Sequence, residues 1–123
     1  INTLKNIPDH IIDQLLNPHK SYLNDINNFV KDHGYDSLHG MCHITGGGLI
    51  ANLERIIPKN LELVLKNDLE LPEWCQYIKD NGNVSIEELY KVYNCGIGYV
   101  LIIDSDTFLK LKKLEYVKIG EII

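Results

Sequence analysis

Arginine is nearly missing from this sequence: of 12 basic residues in 123, only Arg55 carries a guanidinium, and the formal net charge is -5. Phosphate-backbone binding depends on clustered Lys and Arg, so a general nucleic-acid binder is excluded and any anion site has to be local. Cysteine is sparse too. Cys42, Cys75 and Cys95 make an odd count without CxxC spacing, which excludes a disulfide framework and fits reduced thiols in a cytosolic protein. Apolar runs stay far below the roughly 20 residues a membrane helix requires. No signal-peptide pattern, repeat or low-complexity tract is present, and cytoplasmic residence is the expectation. The opening "INTLKNIPDH" begins on Ile1 and already reads as folded-protein sequence, so the expectation is a piece of something longer. What is there, 45% hydrophobic and 24% charged residues, supports one globular domain with one core.

Periodicity divides the chain. Pro8 opens a helix to Leu16, closed by Asn17-Pro18; Tyr22, Leu23, Ile26, Phe29 and Val30 then predict a helix from about Lys20 to a cap at Gly34. "SLHGMCHI" at 37–44 reads as a strand, and Leu49, Ile50, Leu53, Ile56 and Ile57 return to helical spacing before Pro58. "LELVLK" at 61–66 alternates as a half-buried strand, and Pro72 starts a helix to about Asn81. Ser85 and Glu88 form a capping box for a helix ending near Tyr93. "IGYVLIID" at 97–104 predicts a buried strand, Phe108, Leu111 and Leu114 one helical face, and "YVKIGEII" a last strand. The alternation predicts an α/β or α+β class, a single layered domain with one mixed sheet covered by helices.

The most informative stretch is "HITGGG" at 43–48, three consecutive glycines between a strand and a helix. Free N–H groups at such a turn carry partial positive charge and can hold an anion, although the motif is neither GxGxxG nor a P-loop and also suits a tight connection. Asn52 and Arg55 follow on the helix; Arg55 can clamp a phosphate or carboxylate, or pair with Glu54 or Glu62. His43 and His39 share a strand face, but two imidazoles without a carboxylate or thiolate make a poor zinc set, so no metal site is predicted. His43 as hydrogen-bond donor or acid/base to a bound anion is the better reading. Cys42 points the other way, toward the core. "NCGIG" at 94–98 repeats the glycine theme, with Gly96 and Gly98 permitting close backbone approach. Cys95 has no base named beside it and reads as inert. Trp74 and the tyrosines at 90, 93 and 99 read as packing, because no basic residues are interleaved with them.

Taken in order, "LLNPHKSY" at 15–22, "HITGGGLIANLERIIP" at 43–58, "NGNVSIEELYKVYNCGIGYVLII" at 81–103 and "YVKIGEII" resemble the C-terminal domain of the phosphoribosylformylglycinamidine cyclo-ligase (aminoimidazole ribonucleotide synthetase) family, over essentially the whole chain. The resemblance implies a layered, partly ferredoxin-like domain. It also implies an ATP-dependent ring closure in purine biosynthesis: ATP activates the formyl amide oxygen of formylglycinamidine ribonucleotide, an internal nitrogen attacks, and phosphate leaves. Magnesium would accompany the ATP. A homodimer is implied for the full-length enzyme, together with an N-terminal domain carrying much of the ATP site. The isolated chain is expected to be inactive and to bind no cofactor alone.

Carried over by position, the resemblance makes His43 the candidate catalytic residue. Thr45, Gly46, Gly47, Gly48, Asn52, Arg55, Asn94, Gly96 and Gly98 become candidates for binding substrate or anion. Departures from the family pattern are Ala51 for Glu, Glu54 for Pro, His19-Lys20 for Thr-Arg and Tyr99 for Met; Lys20 keeps charge but loses the planar fork. Two other readings stay open. One is a superfamily sibling of the formylglycinamidine synthetase, selenophosphate synthetase or thiamine monophosphate kinase type, and the other a non-catalytic anion-binding module.

Overall fold

Proline marks two of the helix starts in the computed structural model, which describes residues 6–112 and 116–123. Pro8 and Pro72, both at φ -57°, stand at the N-caps of α1 (Asp9–Leu15) and α4 (Glu73–Asn81), where a missing N–H sacrifices no helical bond. Between them come α2 (Leu23–His33), β1 (Leu38–His43), α3 (Gly48–Glu54) and β2 (Leu63–Leu65); α5 (Ile86–Val92), β3 (Tyr99–Ile103), α6 (Ser105–Lys110) and β4 (Gly120–Ile122) follow. Side-chain caps fix two of these helices. Ser85 Oγ accepts the Glu88 N–H at 3.2 Å ahead of α5, and Asp104 Oδ1 accepts the Thr107 N–H at 2.8 Å ahead of α6. Gly34, at φ 78°, ends α2 with its N–H on the Val30 carbonyl at 2.8 Å.

The class is α+β, as expected, but the strands do not join in one mixed sheet. They form two antiparallel ladders, β1 with β3 and β2 with β4, and no parallel pair occurs among the described residues. Apolar alternation selects which segments become strands, whereas partner and direction are set by tertiary packing between segments far apart in the chain. Boundaries moved as well. α2 starts at Leu23 rather than Lys20, and α3 ends at Glu54 short of Ile57. β2 covers only Leu63–Leu65, yet reciprocal bonds between Glu62 and Ile123 at 2.7 and 2.9 Å continue its pairing. β3 is half-buried throughout rather than buried, and α6 stops at Lys110, with Leu114 outside the described residues.

The core draws on the turn after β1 (Ile44), α3 (Leu49, Leu53), α4 (Cys75, Ile78), α5 (Leu89, Tyr90) and the loop before β3 (Cys95). One missing side chain sets how two of these helices meet. Gly48 has φ 71°, and a Cβ there would lie 2.7 Å from the Lys91 carbonyl carbon and the Tyr90 oxygen, so only glycine lets α3 begin against the last turn of α5. The last glycine of the motif is therefore demanded by packing.

Candidate functional site

Alternation along β1 sends His39, Met41 and His43 to solvent and turns Gly40 and Cys42 inward. His39 faces Asp104 at 3.8 Å. Cys42 places its thiol 3.3 Å from the Asn52 carbonyl; burial pushes this thiol up from its ordinary range, and the Arg55 charge partly offsets that. His43, the last residue of the strand, lies exposed beside Tyr99 of β3, its register partner, with ring centroids 5.9 Å apart and planes 21° from parallel.

Beyond His43 the chain turns. Thr45, Gly46 and Gly47 are exposed, and among the described residues their backbone N–H groups donate to no protein acceptor. Gly47 caps α3 in the left-handed region at φ 99°. Asn52 does not project outward from the helix. It is 2% exposed and points back under the turn, where Nδ2 donates to the carbonyls of Thr45 at 3.1 Å, Gly46 at 3.3 Å and Gly48 at 2.7 Å, and Oδ1 accepts from the Thr45 hydroxyl at 3.2 Å. With the carbonyls gathered inward onto one amide, the N–H groups of the bend are left outside.

The second glycine loop lies against the first. The Ile44 N–H donates to the Gly98 carbonyl at 2.9 Å, which continues the β1–β3 pairing into both loops. Asn94 folds its own loop: Oδ1 accepts the Gly96 N–H at 2.9 Å and its carbonyl accepts the Ile97 N–H at 2.9 Å. A Cβ on Gly96, at φ 81°, would collide with the Pro72 ring, and one on Gly98 with the Tyr22 ring and hydroxyl. Both glycines are thus seats for neighbouring rings. Cys95, 3% exposed, has its thiol held well above the ordinary range by contact with the Cys75 thiol and by burial, which keeps it protonated and unsuited to nucleophilic attack.

Of the residues singled out in the sequence, the structure brings together His43, the Thr45–Gly48 turn, Asn52 beneath it, and Gly98 alongside. Arg55 stands at the opposite end of α3, exposed, and among the described residues it forms no ion pair with Glu54 or Glu62. Sequence reasoning missed Tyr22. Its ring lies 5.6 Å from that of Tyr99, with Lys20 Nζ 5.4 Å from its centroid, and nothing in the spacing of 22 and 99 foretells the meeting. The exposed N–H donors suit a phosphate or carboxylate oxygen, not a cation. No group of three His, Cys, Asp or Glu converges on a metal position among the described residues.

A small α+β domain whose two glycine loops are hydrogen-bonded side by side, with a histidine at their junction, is the class that fold and site define. Residues 9–123 match the family described as AIR synthase related protein, C-terminal domain, and the chain belongs to that family. It is similar to phosphoribosylformylglycinamidine cyclo-ligases: 37% identical over 101 residues to that of Geotalea daltonii, covering 81% of this chain and 28% of the relative. Against that of Pseudothermotoga lettingae it is 39% identical over 95 residues, covering 76% and 27%. The chain therefore spans little more than a quarter of the length of these relatives. No helix among the described residues is long and apolar enough to cross a membrane.

Proposed function

We propose that this chain is the C-terminal domain of a phosphoribosylformylglycinamidine cyclo-ligase and lends its turn and His43 to an active site completed by an N-terminal domain. The reaction is the ATP-dependent closure of formylglycinamidine ribonucleotide to aminoimidazole ribonucleotide in the cytoplasm. The observation that carries this reading is the exposed Thr45–Gly47 backbone, its Thr45 and Gly46 carbonyls tied to Asn52 and its N–H groups without protein acceptors among the described residues, directly behind an exposed His43.

Within that reaction the turn N–H groups hold a phosphate oxygen or a developing oxyanion of the substrate. His43 moves or holds a proton at the reacting amide. Magnesium needs oxygen ligands, chiefly carboxylates, and residues 43–48 carry no carboxylate, while the Thr45 hydroxyl and the Thr45 and Gly46 carbonyls are engaged by Asn52. The residues here do not fit the metal, so Mg2+ and ATP are assigned to the N-terminal domain, and the homodimer to the full-length enzyme.

The test compares the 123-residue chain with the full-length protein in an assay for aminoimidazole ribonucleotide. Turnover is expected only from the full-length protein, and folded full-length His43→Ala should lose at least about a hundredfold, the scale of general acid–base catalysis. Turnover by the short chain alone would overturn the two-domain account. A near-normal rate in His43→Ala would remove that residue from the mechanism.

A further inference from the structure

We propose that Tyr99 is a positioning residue for His43, fixing the direction of the imidazole through a stack that begins at Lys20. The proposal rests on the reading of His43 given above. His43 sits at the end of a strand with its side chain exposed, where no hydrogen bond to its ring is present among the described residues, and an imidazole so placed has several rotamers open to it. What restrains it is the near-parallel Tyr99 ring at 5.9 Å, delivered by the antiparallel register that sets His43 opposite Tyr99.

Tyr99 is itself supported. Tyr22 lies against it at 5.6 Å with a 39° tilt, and Lys20 sits 5.4 Å from the Tyr22 centroid while paired to Asp25 at 3.0 Å. The Tyr22 ring reaches this place because Gly98, the residue before Tyr99, has no Cβ to block it. Lys20, Tyr22, Tyr99 and His43 therefore form one continuous series, and the glycine of the second loop is its seat. A flat ring transmits orientation in a way that a flexible thioether does not, so tyrosine at 99 is a different support from methionine.

The test uses two measurements. In NMR spectra of the 123-residue chain, the His43 ring protons should carry an aromatic ring-current shift in the wild type and in Tyr99→Phe, and lose it in Tyr99→Ala and Tyr99→Met. In the full-length protein, Tyr99→Ala should lower kcat about two- to tenfold with KM little changed, the loss expected when one stacked aromatic contact is removed. Tyr99→Phe should restore the rate. In a His43→Gln background Tyr99→Ala should cost nothing further, whereas a purely structural Tyr99 would cost the same factor in both backgrounds. An unchanged ring-current shift in Tyr99→Ala, an unchanged kcat, or additive losses would each overturn the proposal. A near-normal rate in full-length His43→Ala would overturn it together with the reading of His43; an impaired His43→Ala beside an indifferent Tyr99→Ala would sink the proposal alone.

Discussion

The Ile44 N–H and the Gly98 carbonyl meet at 2.9 Å, and through that bond the loop after β1 and the loop before β3 become one surface. Ile44 and Gly98 are 54 positions apart in sequence. Their contact explains why HITGGG and NCGIG carry information together that neither carries alone: each is the other's continuation of an antiparallel ladder.

Asn52 should prove a stability residue as well as a loop residue. Its amide serves three carbonyls and a hydroxyl while almost fully buried, so Asn52→Leu leaves polar groups without partners. The expected cost is about 2–4 kcal/mol, from roughly 1–3 kcal/mol for each buried group left unsatisfied and partial rescue by water. Urea unfolding followed by circular dichroism measures it. A midpoint unchanged from wild type would show that the brace is dispensable.

Glycines 46 and 48, two positions apart, should respond to alanine to very different degrees. At Gly46 a Cβ meets nothing within 4 Å and φ is ordinary, so Gly46→Ala should stay within about 1 kcal/mol of wild type. Gly48→Ala combines a left-handed φ of 71° with backbone atoms at 2.7 Å, and roughly 2–5 kcal/mol of destabilisation is expected. Thermal melts of the two variants, run side by side, check the packing demand at Gly48; equal melting points would refute it.

Asp104 gives the fold a pH dependence with a definite sign. Hydrogen bonds from the Thr107 N–H and hydroxyl, with smaller help from His39 and Lys110, hold its carboxyl below the ordinary range. A carboxyl lowered on folding stabilises the native state above its unfolded pKa, and that contribution fades as pH falls through the folded value. Asp104→Ala should therefore be less stable than wild type at neutral pH, and the gap should close in acid. Carbon-detected NMR titration of the Asp104 carboxyl should find it ionised to lower pH than an unstructured aspartate; a normal midpoint would refute the cap's role.

The three thiols should separate by reactivity. Cys75 and Cys95 are 0% and 3% exposed and should resist iodoacetamide until the chain unfolds, while half-buried Cys42 reacts slowly and faster at raised pH. Arg55→Ala removes a charge that favours the Cys42 thiolate, so labelling of Cys42 should slow further. Peptide mass mapping of the labelled sites reads all three at once. Early labelling of Cys95 would contradict the protonated, enclosed thiol described above.

How far these features could be read in advance depended on how local their causes are. Pro8, Gly34, Pro72 and Ser85 act within a turn of their own position, and the helix ends they imply are where the chain places them, within a few residues. The α+β class followed from apolar periodicity. Strand pairing did not, because Leu63 opposite Ile122 and His43 opposite Tyr99 are relations between distant segments that no period encodes. The same limit applied to the site. An exposed bend behind His43 was expected from three glycines, but the inward turn of Asn52, the seat that Gly98 makes for Tyr22, and the removal of Arg55 to the far end of α3 all depend on neighbours from other elements.

The Asn52 clasp has a consequence for any ligand that arrives. Because the bend is braced from below before anything binds, little chain disorder remains to be frozen when an anion docks, and association should need no induced rearrangement of residues 45–48. A loop of small residues that looks the most pliant part of the sequence is, in the folded domain, held at three carbonyls by one buried amide.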